Sequence, residues 1–98
     1  MRTMLKFTVP VERGNAAISD GMIAKTLETI MTQLKPEAAY FGPTDGKRGG
    51  IVVFNLAEPS QIIEVVEPLF LNLNATTELR PVMNVEDLKK GLAKIAKR

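Results

Sequence analysis

From Leu5 to Val11 the chain alternates, with Leu5, Phe7, Val9 and Val11 on one side and Lys6 and Thr8 on the other. A period of two predicts a strand with one buried face. Glu12-Arg13-Gly14-Asn15 reads as the turn that ends it. Ser19-Asp20-Gly21 then offers a cap for a helix whose apolar residues Ile23, Leu27, Ile30, Met31 and Leu34 recur at helical spacing. That helix is expected to stop at Lys35, because the residue before Pro36 is pushed out of the helical region. Ala38–Phe41 reads as a short strand, Gly42–Gly50 as a turn-rich connection and Ile51–Leu56 as a stronger strand. Pro59-Ser60 opens a second helix carrying Ile62, Ile63, Val65, Val66, Leu69 and Phe70, with Pro68 marking its end or a kink. Thr76–Val82 reads as a fourth strand. Asn84-x-x-Asp87 caps a last helix with Leu88, Leu92 and Ile95 turned inward.

The order is therefore βαββαβ plus a terminal helix, an α+β pattern of two interleaved β-α-β units joined by a central hairpin. It predicts a ferredoxin-like domain over residues 1–98: one four-stranded antiparallel sheet in the order 4-1-3-2, with both main helices on a single face. Leu5, Phe7, Val9, Phe41, Val52, Phe54, Leu56 and Leu79 should lie under the helices. Lys6, Thr8, Tyr40, Ile51, Val53, Asn55, Glu78 and Arg80 should line the other face. That second face is more apolar than a solvated sheet needs, which predicts a homodimer formed through it.

The run Val53-Phe54-Asn55, the Ser60-capped amphipathic helix, the step Pro68-Leu69-Phe70 and the polar fourth strand together resemble the dimeric α+β barrel superfamily. The layout from Leu5 to Val82 is most similar to the muconolactone isomerase-like proteins and to small uncharacterised bacterial proteins. Such a resemblance implies a homodimer and admits isomerases, cofactor-free monooxygenases, haem-degrading enzymes and proteins without a known reaction. It transfers no catalytic or haem-ligating residue, since this chain has no His.

Composition narrows the chemistry. The 98 residues suffice for one domain, and 45% apolar with 24% charged residues is an ordinary globular balance. The absence of Cys and His removes thiolate nucleophiles, the commonest zinc ligands and the commonest general base near neutral pH. Neither a metal nor a cofactor is expected. No apolar stretch reaches the length of a bilayer span or a signal peptide, so a cytoplasmic location is expected. The net charge of +2 is uneven. Five cations against two acids give residues 85–98 a charge of +3 and leave −1 for the rest, either a solvated helix face or an attraction to acidic partners.

Few residues then offer themselves as a site. Glu78 and Arg80 share one face of the fourth strand, with Lys6 on its neighbour, an arrangement able to orient an anionic substrate or to form a cross-strand ion-pair ladder. Tyr40, the one phenol, can donate to a carbonyl or enolate or sit half-buried on its strand. Arg13, with Asn15, follows the first strand where loops line cavity mouths, or belongs to a plain turn. Gly42 to Arg48 lacks the spacing of a phosphate loop and reads as a hairpin tip. Counted back from Phe54, an RNA-recognition signature would need aromatics where Gly49 and Ile51 stand, so nucleic-acid binding is the least favoured reading. The expected function is to bind or isomerise a small hydrophobic organic acid or lactone in an apolar pocket between sheet and helices, guided by Tyr40, Arg80 or Arg13. A noncatalytic homo-oligomeric regulatory or structural module is the alternative.

Overall fold

The computed structural model describes residues 1–96, so Lys97 and Arg98 of the basic terminal segment lie outside the described residues. Eight elements follow one another: β1 (Arg2–Val9), α1 (Val11–Ser19), α2 (Met22–Leu34), β2 (Ala38–Thr44), β3 (Lys47–Asn55), α3 (Gln61–Leu73), β4 (Thr76–Pro81) and α4 (Val85–Ala96). The sheet order is β2-β3-β1-β4 and every neighbouring pair is antiparallel. β3 lies between β2 and β1, and β1 between β3 and β4, the split arrangement of a ferredoxin-like α+β fold. None of the described helices is long and apolar enough to cross a membrane.

The alternation in β1 sorts its residues strictly. Leu5, Phe7 and Val9 are buried and join Val52 and Phe54 of β3 under Ile30 and Leu34 of α2 and Val65, Leu69 and Leu73 of α3. Each such side chain contributes about 1.5–3 kcal/mol by leaving water. Two buried threonines are hydrogen-bonded: Thr3 Oγ1 donates to Met1 O at 3.0 Å, and Thr26 Oγ1 of α2 accepts from Asn72 Nδ2 of α3 at 3.1 Å.

Four expectations are corrected. The segment read as a turn, Glu12-Arg13-Gly14-Asn15, lies inside α1, and β1 ends at Val9. Its buried face is made of Gly14 and Ala17, small residues that let the helix sit close to β3 and that carry little hydrophobic signal. Pro10, with φ of −54° and ψ of 138°, stands before the first turn as its non-helical cap residue. α2 begins where expected, with Asp20 Oδ1 accepting from the Met22 N–H at 2.9 Å, and ends at Lys35 in the left-handed conformation.

The connection from Gly42 to Gly50 is mostly ladder. Asp45 and Gly46, at φ of 55° and 76°, make a two-residue turn of the kind that matches strand twist, so β2 runs on to Thr44 and β3 starts at Lys47. Gly49 and Gly50 are buried strand residues facing crowded neighbours. A Cβ on Gly49 would come within 2.5 Å of Phe7 O, and one on Gly50 within 2.6 Å of Phe41 Cδ1. Of the two readings of Pro68, an end or a kink, the end is excluded: α3 continues to Leu73 and is closed by Asn74 at φ 52°.

The last correction concerns α4. Its start is capped in both directions, Asp87 N–H donating to Asn84 Oδ1 at 2.8 Å and Asn84 N–H to Asp87 Oδ2 at 3.3 Å. Arg2 anchors it, with Nη1 3.3 Å from Asp87 Oδ2 and Nε 2.6 Å from Glu37 Oε1. The hydrogen bond and charge of Glu37 raise the Arg2 pKa above its ordinary value. Leu88, Leu92 and Ile95 are not turned inward, however, and no residue of α4 is buried.

Candidate functional site

The register places the expected open-face residues in rows. Tyr40, Ile51, Lys6 and Glu78 are successive cross-strand partners from β2 to β4, and Ala38, Val53, Met4 and Arg80 form the next row. Lys6 and Glu78 are thus direct neighbours, and Arg80 stands one row away. Tyr40 lies three strand spacings from Glu78, about 14 Å at about 4.8 Å per strand. It is 74% exposed, so its hydroxyl has no shelter. Among the described residues no ion pair joins Lys6, Glu78 and Arg80, so the cross-strand ladder is not formed within one chain.

Arg13 belongs to the opposite layer. From α1 it donates through Nε and Nη2 to Asn72 O at 2.9 and 2.6 Å, and its Nη1 stands 3.8 Å from Asp20 Oδ2. A cation on one of the last carbonyls of α3 complements the negative end of that helix. Arg13 therefore ties α1 to α3. The structure groups Lys6, Glu78 and Arg80, sets Tyr40 on the far edge of the same face, and separates Arg13 from all four.

Of these residues Arg80 borders a groove of about 460 Å³ with Met4, Val85 and Leu88, and a larger apolar cavity lies elsewhere. A cavity of about 570 Å³ opens between the sheet and the first two helices, floored by Phe7, Val9 and Phe41 and walled by Ile23, Leu27, Leu73 and Val11. The hairpin, from Gly42 to Gly49, closes one end and brings Lys47 and Arg48 to the lining. Phe7 and Phe41 meet edge to face with ring centres 6.3 Å apart, in the space that Gly50 leaves by having no side chain. Arg48 is held in place: Nη2 donates to Asn15 Oδ1 at 2.9 Å and Nη1 to Val11 O at 3.4 Å. Such a site is an apolar chamber with a positioned guanidinium at its edge, suited to a ligand with a hydrophobic body and an anionic end.

Arg48 and Lys47 are the polar residues that sequence reasoning passed over by assigning them to a hairpin tip. The signal lay in the period of two. Counting back from the buried Phe54 and Val52 through Gly50 puts Arg48 on the helix-covered face, and its partner across the ladder is the buried Val9.

No protein-family model matches the chain, and no curated protein matches it. Among solved structures the chain is similar to the de novo designed protein Ferredog-Diesel, with 15% sequence identity and a TM-score of 0.47 over 83% of this chain and 85% of that one. The class, an α+β ferredoxin-like fold, rests on the strand order and antiparallel pairing of the chain itself.

Proposed function

We propose that this chain binds a small hydrophobic organic acid in the cavity beneath the β2–β3 hairpin, with its carboxylate at Arg48 and Lys47 and its apolar body against Phe7, Phe41, Ile23 and Leu27. The observation that carries the reading is the pairing of an apolar chamber of about 570 Å³ with a guanidinium fixed at its edge by Asn15 and Val11. Burying about 200 Å² of apolar ligand surface contributes about 5 kcal/mol, and a charge-assisted hydrogen bond adds about 1.5–3 kcal/mol. Less at least about 4 kcal/mol for association, about 2.5–4 kcal/mol remains, an affinity of about millimolar or weaker.

Binding is favoured over isomerisation. Moving a proton next to a carbonyl needs a base or acid within reach of the substrate, and of the described lining only Lys47 could serve, a group this reading gives to the ligand's carboxylate. We take the chain to be a member of the dimeric α+β barrel superfamily with a muconolactone isomerase-like layout, on the resemblance of its strand and helix succession. We take its compartment to be the cytoplasm; recovery in a membrane pellet or in culture medium would remove that part of the reading.

The test is a titration with octanoate, benzoate and phenylacetate alongside octanol and benzyl alcohol, followed by calorimetry and thermal unfolding. The proposal expects at least one acid to bind and to raise the melting temperature, and expects Arg48→Gln to weaken that acid about tenfold while leaving the matching alcohol unchanged. No binding across the series, or equal loss of acid and alcohol, would overturn it.

A further inference from the structure

Gly14 stands inside a helix with no backbone reason to be glycine. Its N–H makes an ordinary helical bond to Pro10 O at 2.8 Å, and its φ is not in the left-handed region that Gly21 and Gly46 adopt. Glycine is among the poorest residues for a helix interior, because it has the most backbone freedom to lose. A single residue fills the room it leaves. A Cβ on Gly14 would lie 2.6 Å from Arg48 Nη1, 3.3 Å from Arg48 Cδ and 3.4 Å from Arg48 Cζ, and these are its three nearest contacts. The guanidinium therefore rests on the bare turn of α1, where Asn15 Oδ1 accepts from Nη2 and Val11 O from Nη1. The seat of α1 does not depend on that contact, since Ala17 is fully buried in the core and Arg13 holds the helix to Asn72 O.

We propose that Gly14 and Asn15 are positioning residues for the anion: Gly14 clears the space and Asn15 supplies the neutral acceptor that together hold the Arg48 guanidinium, oriented and still charged, at the cavity edge. The inference rests on the acid-binding reading above and deepens it. The preference for a carboxylate over an uncharged ligand is then set from α1, whose Val11 lines the same cavity, and not by the hairpin alone. A long cationic side chain next to a hairpin turn would otherwise rotate freely, and each arriving ligand would have to order it. Neutrality at position 15 matters as much as the hydrogen bond. Among the described residues no carboxylate pairs with Arg48, so its charge is kept for the ligand, and of the five N–H donors of an arginine three are left after Val11 and Asn15. Stability and affinity should therefore part company. Asn15→Asp keeps the acceptor and adds an ion pair, so the fold loses nothing while the charge offered to the ligand is cancelled. Gly14→Ala improves the helix, and its methyl meets the movable end of Arg48, which swings off the cavity edge.

The experiment is an NMR titration of the native full chain, Gly14→Ala, Asn15→Ala and Asn15→Asp with benzoate and octanoate, and with benzyl alcohol and octanol as their uncharged counterparts. Thermal unfolding and guanidinium NMR spectra of the ligand-free proteins accompany it. Acid affinity is expected to fall about threefold in Asn15→Ala, about fivefold in Gly14→Ala and about tenfold in Asn15→Asp, with the alcohols unchanged. Gly14→Ala and Asn15→Asp should melt no earlier than the native chain. Rotation of the Arg48 guanidinium should be slow in the native chain and fast in Gly14→Ala. If the native chain binds an acid and Gly14→Ala and Asn15→Asp bind it equally well, the positioning role is overturned while the acid site stands. Loss of acid and alcohol alike, with a lower melting temperature, overturns it in favour of a packing role. A freely rotating Arg48 guanidinium in the native chain overturns the positioning role alone, and a native chain that binds no acid overturns both.

Discussion

The two faces of the sheet are built by the same strands and have opposite fates. On one, Leu5, Phe7, Val9, Val52 and Phe54 are closed over by α2 and α3 and are almost wholly buried. On the other, Met4, Lys6, Ile51, Val53 and Tyr40 face outward and α4 touches only an edge of them. Strand periodicity explains why both exist, since every residue sent to one face sends its neighbour to the other. What differs is the cover. The helices are held on the first face by apolar packing and to each other by Arg13 on Asn72 O, whereas α4 is tied to the second by Arg2 alone among the ion pairs of the described residues. The first face can thus hold a ligand cavity in a stable frame, and the second is left as a surface.

The largest expected difference between the faces is in core truncation. Phe54→Ala should cost about 3–5 kcal/mol in denaturant unfolding, whereas Ile51→Ala, three residues away on the outer face, should cost under about 1 kcal/mol at concentrations where the chain is monomeric. Comparable losses at both sites would remove the distinction. Gly49→Ala comes next. Its Cβ would press on the Phe7 carbonyl at 2.5 Å, a backbone atom that cannot swing aside, and we expect a loss of about 1–3 kcal/mol together with weakened acid binding. Asn84→Ala removes the cap of α4 and should cost about 0.5–2 kcal/mol of helix stability, read as loss of far-UV helical signal while the sheet unfolds at an unchanged midpoint in dilute solution. The smallest effect is expected from Glu78→Gln in the monomer, a few tenths of a kcal/mol at most, because no described ion pair holds it there. A larger loss that grows with protein concentration would place Glu78 in the contact between copies.

Particular residues show what could be read beforehand. Alternation in β1 and β3 was enough to assign both faces, because buried Leu5, Phe7, Val9, Val52 and Phe54 alternate with polar or exposed neighbours. α1 escaped because its buried face is Gly14 and Ala17, and a helix that packs through its lack of side chains leaves no hydrophobic period. The hairpin escaped for a related reason: Gly49 and Gly50 look like turn residues, while their role is close approach to Phe7 and Phe41. For α4 the stripe itself was legible and its cover was not, since periodicity says which side of a helix seeks burial and nothing about which molecule supplies it. The cavity needed tertiary structure, because Phe7, Ile23, Phe41 and Leu73 come from four separate elements.

The division of labour between the faces is open to one direct measurement, a methyl and aromatic NMR titration of the full chain with octanoate, benzoate and phenylacetate in turn. The account predicts shifts that saturate at Val9, Ile23 and Leu27 and at the rings of Phe7 and Phe41, with Met4, Ile51, Val53 and Leu92 unmoved. Shifts confined to the outer-face group, or none at any concentration up to the solubility limit, would contradict it.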